Sequence, residues 1–214
     1  MSRHLILLHG LARTRHSLWP IARAARRRGY AVTSVGYPSR QQPIEVLAAG
    51  VASRIAATVP PGAFDVVSHS LGGIVLRAAV ADGLLPLARV HRAVMLAPPS
   101  RGSELADLLR ARWAYRRLLG PAGQQIGTTG DSLPLALPPV PFPCGVIAGR
   151  RTFVPGAQRI FAGPTDGRVS VSRTRAEGIA DFLVVNRAHP FLMWAPDVLT
   201  ATFAFLETGH FEPA

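Results

Sequence analysis

The 214 residues suit one domain able to bury a sizeable core, and a hydrophobic content of 48% excludes a disordered chain. The formal charge is +12 and all 24 basic residues are arginine, yet no nucleic-acid motif accompanies them; a solvated basic face is expected, open to peripheral contact with an anionic membrane but to no nucleic-acid partner. No apolar run approaches the roughly 18–20 residues of a transmembrane helix and no secretory leader is recognisable, so a cytoplasmic location is expected.

In chain order, Arg3–Leu8 is a short apolar run closed by Gly10 and reads as a buried strand. Ser17 is placed to cap a helix to about Arg28, with Leu18, Ile21, Ala22 and Ala25 on one face and Gly29 as its stop. A second strand at 31–35 ends at Gly36 and Pro38. Pro43 then suits the first turn of a helix on which Ile44, Leu47, Val51 and Ile55 recur at helical spacing. The alternation continues with a strand over 64–68, a helix over about 72–81 and a strand over 90–96. Ser103 can cap a further helix to about Leu119, with Leu105, Leu108, Leu109 and Trp113 as its apolar stripe. Arg26–Arg28 and Arg116–Arg117 fall at the C-terminal ends of two of these helices, where cations meet the negative end of the dipole.

Residues 120–143 break the rhythm with six prolines and four glycines, either as a lid or binding loop or as a surface excursion. Strands over 144–148 and 182–185 and a last helix over about 191–206 complete the chain. The only cysteine, Cys144, opens the first of these strands, which assigns it a buried structural role and leaves no disulfide or thiol metal cluster available. Strands separated by helices predict an α/β architecture: a mostly parallel sheet of about six strands with helices on both faces, in a single domain over 1–214.

The strongest chemical signal is Asp65-Val-Val-Ser-His-Ser-Leu-Gly-Gly, where a strand runs through Ser70 directly into a helix. A turn this sharp exposes the serine hydroxyl only if the residues two before and two after it are small, and Ser68 and Gly72 are. The same helix aims its free N–H groups at the point where negative charge would develop. One oxyanion donor would be the Leu71 N–H; a second would be the Leu11 N–H, turned inward by Gly10 after the first strand.

A serine nucleophile needs a base, and the base an orienting acid. Of seven histidines, His189 follows the strand over 182–185 in the short loop before the last helix. His4 and His91 lie at strand starts, and His9 and His69 sit in motifs with backbone roles. His16 precedes a helix, and His210 lies in the tail. Asp166, in Gly163-Pro-Thr-Asp-Gly-Arg-Val-Ser-Val, stands 23 residues before His189 and is the expected acid, ahead of Asp131 and Asp181. A hydrogen bond from Ser70 to His189, and from His189 to Asp166, is the geometry this predicts.

These stretches make the chain similar to small bacterial serine lipases and esterases of the α/β-hydrolase superfamily. The resemblance rests on Leu8-His-Gly-Leu11, Ser68-His-Ser-Leu-Gly-Gly73, Thr165-Asp-Gly-Arg-Val169 and His189, and spans residues 3 to about 206. In Leu96-Ala-Pro-Pro-Ser-Arg-Gly-Ser103, Ala97 and Pro99 replace a Thr and a His common in such lipases. The resemblance implies hydrolysis of a small-molecule or lipid carboxylic ester through an acyl-enzyme, with no cofactor and no metal. Residues 103–143 would form a lid or cap, with Trp113, Leu133, Leu135, Leu137 and Phe142 lining an acyl pocket. Thioester hydrolysis, acyl transfer and a non-catalytic binding protein of the same fold remain alternatives, because fold alone does not choose chemistry.

Overall fold

The computed structural model describes residues 3–130 and 132–211; Asp131 therefore lies outside the described residues. Apolar residues alternate sides along each strand, so every strand can be covered on both faces. In chain order the elements are β1 (His4–Leu8), α1 (Trp19–Arg27), β2 (Ala31–Val35), α2 (Ile44–Thr58), β3 (Phe64–His69), α3 (Leu71–Ala81) and β4 (Val90–Leu96). They continue with α4 (Glu104–Leu109), α5 (Trp113–Gln124), α6 (Leu133–Ala136), β5 (Cys144–Gly149), α7 (Val171–Thr174), β6 (Asp181–Val185) and α8 (Pro196–Thr208).

The six strands form one sheet in the order β2-β1-β3-β4-β5-β6, and every pairing is parallel. On one face Ile6, Leu8, Val66 and Met95 pack against Ile44, Leu47 and Val51 of α2 and Ile74 and Val75 of α3. On the other, Leu5, Leu7, Val67 and Ile147 pack against Ile21 and Ala25 of α1 and Val198 and Phe205 of α8. From β1 the chain runs outward to β2, then crosses to β3 on the other side. The C-terminal ends of β1 and β3 thus border the switch point at which open parallel sheets bind ligands.

Three helical expectations are corrected by local chemistry. Ser17 does not cap α1: its hydroxyl donates to the Thr14 carbonyl at 2.8 Å within a 3-10 turn over Arg15–Leu18, and Pro20 sits in the first turn of α1. The helix after Ser103 is two helices, broken at 110–112. Ser103 does cap the first, accepting from the Ala106 N–H at 3.4 Å. In α5, Gly120 at φ 63° and ψ −162° breaks the helix just after Leu119, where the sequence predicts its end, so Arg116–Arg117 do lie in the last turn before the break. The last helix begins late because Pro196, which has no N–H, cannot continue the 3-10 turn over His189–Trp194.

The Pro/Gly-rich stretch is less irregular than its composition suggests, since it holds the end of α5 and the short α6. Cys144 is fully buried at the start of β5, and burial pushes its thiol pKa well above the usual range. Among the described residues, no helix is long and apolar enough to cross a membrane.

Candidate active site

The turn between β3 and α3 is built on close backbone approach. Ser70 holds φ 53° and ψ −122°, a region costly for a residue with a side chain, and its N–H donates to the Leu96 carbonyl at 2.8 Å. A Cβ on Gly72 would stand 2.6 Å from the Leu8 carbonyl oxygen and 2.9 Å from that of His9. A Cβ on Gly10 would stand 2.9 Å from His69 Nδ1 and 3.1 Å from Ser70 Cβ. The loop after β1 can therefore lie against the serine only because neither position carries a side chain. Ser68, buried in β3, is small enough for the same crowding.

Leu71 opens α3, where its N–H has no acceptor within the helix. Leu11 follows Gly10 and lines the same cavity as Ser70. Its loop is braced from behind: the Ala12 N–H donates to Ser39 Oγ at 3.1 Å, and the Tyr37 hydroxyl donates to the His9 carbonyl. His9 Nε2 accepts from the Tyr37 N–H at 3.2 Å, so its proton resides on Nδ1, facing the Gly10 carbonyl at 2.9 Å. Burial lowers the His9 pKa, with those backbone bonds opposing.

Asp166 and His189 meet beside this turn. His189 Nδ1 lies 2.6 Å from Asp166 Oδ2, and the His189 N–H donates to the Asp166 carbonyl at 3.0 Å. The other carboxylate oxygen, Oδ1, accepts from the N–H groups of Arg168 and Val169, both at 2.9 Å. Those bonds fix the carboxylate's plane, and the carboxylate in turn orients the imidazole by accepting from Nδ1. The His69 ring lies tilted against that of His189, with ring centres 4.7 Å apart and planes at 51°, and its Nε2 donates to the His189 carbonyl at 3.2 Å. Burial, followed by the charge of His189, holds the His69 pKa well below the ordinary histidine value.

Ser70, Asp166 and His189 all border one cavity of about 690 Å³. Among the described residues no hydrogen bond joins Ser70 Oγ to His189, unlike the pair predicted from the sequence; such bonds often tighten only with substrate bound. The apolar wall comes from Leu105 and Leu109 of α4 and Tyr115, Leu118 and Leu119 of α5, with Ile126 beyond them.

None of the five residues expected to line an acyl pocket borders the cavity that holds Ser70. Trp113 is 75% exposed, because the break at 110–112 turns it off the face that carries Leu105 and Leu109. Leu135 is also exposed, at 44%. Leu133 and Leu137 pack against the core, and Phe142 is buried in it. The first half of the 103–143 stretch thus walls the cavity, while the second half completes the hydrophobic core.

Several supporting residues lay beyond sequence reasoning. The Ser103 hydroxyl donates to the Arg168 carbonyl at 2.7 Å, and Ser170 donates to Glu104, which also pairs with Arg173 at 3.0 Å. These bonds tie α4 to the loop of Asp166 across more than 60 residues of chain. Phe153, exposed after β5 and edge-on to Phe191, borders the cavity too; an aromatic just past a strand end was the available signal. Among the described residues, no three His, Cys, Asp or Glu side chains are grouped as a metal ion would need.

A doubly covered parallel sheet with a strained serine between strand and helix is the architecture of the α/β hydrolases. The chain belongs to the alpha/beta hydrolase family, whose profile matches residues 5–209. No curated protein matches it in sequence. Among solved structures, it is similar to the mature form of Bacillus licheniformis lipase BlEst2, with a TM-score of 0.76 at 19% identity over 97% of this chain and 92% of that one. It is also similar to the metagenomic carboxyl esterase MGS0156, with a TM-score of 0.67 at 19% identity over 88% of this chain and 64% of that one. For Aspergillus fumigatus lipase B the TM-score is 0.69 at 15% identity, over 99% of this chain and 54% of that one. The chain therefore spans most of the first and between half and two thirds of the other two.

Proposed function

We propose that the protein is a serine hydrolase that cleaves carboxylic esters through an acyl-enzyme. The observation that carries this reading is the buried 2.6 Å contact between His189 Nδ1 and Asp166 Oδ2, facing the cavity that holds the strained Ser70. A purely binding protein has no physical need for that set. In the reading, His189 Nε2 takes the proton of Ser70 Oγ as the oxygen attacks the ester carbonyl. The carbonyl oxygen then gathers negative charge beside the Leu11 and Leu71 N–H groups, each such donor being worth roughly 2.7–4 kcal/mol in the transition state.

Collapse of the tetrahedral intermediate breaks the ester C–O bond, and His189 returns the proton to the departing alcohol. Water, deprotonated by the same imidazole, then attacks the acyl-serine and regenerates the hydroxyl. Asp166 keeps the imidazole in the required tautomer and stabilises its cationic form throughout. The lipases and the esterase among the structural neighbours support an ester over other acyl compounds.

A fluorophosphonate probe tests the nucleophile, because it phosphonylates activated serines. Labelling of the native protein that vanishes in Ser70→Ala, with hydrolysis of para-nitrophenyl esters lost by roughly 10⁶-fold, is the expected result. A folded native protein that takes no label would overturn it.

A further inference from the structure

Two arginines border the cavity, and they differ from most of the others near the sheet. Arg3, Arg77, Arg89, Arg92, Arg173 and Arg187 all commit their guanidinium groups to carboxylates or carbonyls. Arg13 and Arg168 are exposed and, among the described residues, neither guanidinium has a hydrogen-bond or carboxylate partner. Their backbones, by contrast, are pinned. The Arg13 N–H donates to the Gly10 carbonyl at 3.2 Å, in the turn that carries Leu11. The Arg168 N–H donates to Asp166, and its carbonyl accepts from Ser103. Two free cations are thus anchored beside the expected oxyanion donor and beside the expected acid.

After burial and the charge of His189, the charges of Arg13 and Arg168 add to the lowering of the His69 pKa, as expected of cations at this end of the cavity. Among the described residues, the only acidic one on the cavity wall is Asp166, already engaged by His189 and two N–H groups. Beyond Arg13 a second hollow of about 420 Å³ is bordered by Arg15 and Arg54, so further positive charge lies on that side, away from the serine. A charged ligand group would meet, among the described residues, a single and already engaged carboxylate and two cations able to take oxyanions in a fork.

We propose, on top of the ester-hydrolase reading, that the preferred substrate is an ester carrying a separate oxyanion, a carboxylate or a phosphate, held by Arg13 and Arg168. Its apolar part lies against Leu105, Leu109 and Leu119. The charge enters the reaction only through binding and orientation, so the bonds made and broken are those of ester hydrolysis.

The test compares anionic esters with neutral twins. One pair is para-nitrophenyl hydrogen adipate and para-nitrophenyl hexanoate, with the charge on the acyl side. The other is butyrylglycerol phosphate and butyrylglycerol, with a phosphate on the alcohol side. We expect kcat/KM to favour the anionic member of at least one pair by about 10-fold or more, mostly through KM, with the favoured pair identifying the anion. The preference should shrink severalfold in about 0.5 M salt. Arg13→Gln and Arg168→Gln should each cut the anionic-to-neutral ratio by roughly 3–10-fold, and together bring it near one. Arg27→Gln, an exposed charge on α1, should leave that ratio in place.

Equal turnover of both twins, or a preference that survives the double variant or falls equally in Arg27→Gln, overturns the proposal while serine labelling leaves the hydrolase reading standing. Loss of fluorophosphonate labelling in the native protein removes the hydrolase reading itself.

Discussion

Two carboxylate–imidazole pairs sit at opposite ends of the same sheet. At the N-terminal end, Asp65 of β3 accepts from Arg3 at 2.7 Å and meets His91 Nδ1 at 2.8 Å. At the C-terminal end, Asp166 meets His189 at 2.6 Å. The contacts are alike, but their surroundings are not. His91 is half exposed, and its carboxylate is shared with a guanidinium that ties β1 to β3. His189 is 4% exposed, its carboxylate is oriented by backbone N–H groups, and its ring borders a cavity that also holds a strained serine. A carboxylate beside a histidine is therefore not a catalytic signature in itself. Chemistry needs the third group and room for a substrate, and parallel sheets supply both at the strands' C-terminal ends.

Replacing each acid in turn sharpens this contrast most. Asp166→Asn should leave the protein folded and lower kcat for para-nitrophenyl esters by roughly 10⁴-fold, because an amide cannot hold the imidazole in the needed tautomer or stabilise its cation. Asp65→Asn should do the reverse: activity retained, with a stability loss of about 1–3 kcal/mol in denaturant titration from the weakened bonds to Arg3 and His91. Equal activity losses in the two variants would erase the distinction.

The serine turn is the feature only one end possesses. Gly72→Ala drives a Cβ against two backbone oxygens that cannot rotate away. It should cost about 3 kcal/mol, or on the order of 6–12 °C in Tm, with a matching fall in fluorophosphonate labelling.

A smaller effect comes from pH. The folded-state pKa of His69 and of His9 lies below the ordinary value of 6.5, chiefly through burial. As pH falls through about 6.5 the unfolded chain takes up protons that the folded chain does not. Stability is thus complete above that pH and declines below it, by up to about 1.4 kcal/mol per pH unit for each such histidine. Denaturant midpoints at pH 5 and pH 7.5 measure this, and His69→Gln should flatten the difference.

The smallest contrast lies within the cavity wall. Leu109→Ala should shift the preferred acyl chain length, with a severalfold change in kcat/KM. Trp113→Ala should change it by less than about twofold, as expected of an exposed side chain.

Much of this was legible along the chain because it depends on neighbours in sequence. Alternating apolar runs and helical spacing define strands and helices locally, and the requirement for small residues around Ser70 is a steric rule within five positions. Chain order after the last two strands pointed to Asp166 and His189, because loops at the C-terminal ends of parallel strands converge. The helix breaks were harder. The stripe from Leu105 to Trp113 has helical period, yet the chain interrupts it at 110–112, and nothing local in that apolar pattern marks the interruption.

What the sequence by itself determined, then, is the order of layers, the strained serine and the loops that carry Asp166 and His189, since each follows from local sterics, hydrophobic period and chain order. What only the tertiary structure decided is which apolar residues face the cavity and which complete the core, and which arginines are left unpaired. Leu119 and Phe142 are equally hydrophobic on paper. One borders the cavity and the other is buried in the core, because the wall is assembled from segments distant in sequence. The same holds for Arg13 and Arg168, whose guanidinium groups, among the described residues, pair with no carboxylate because the one beside them, Asp166, is engaged by His189 and two backbone N–H groups.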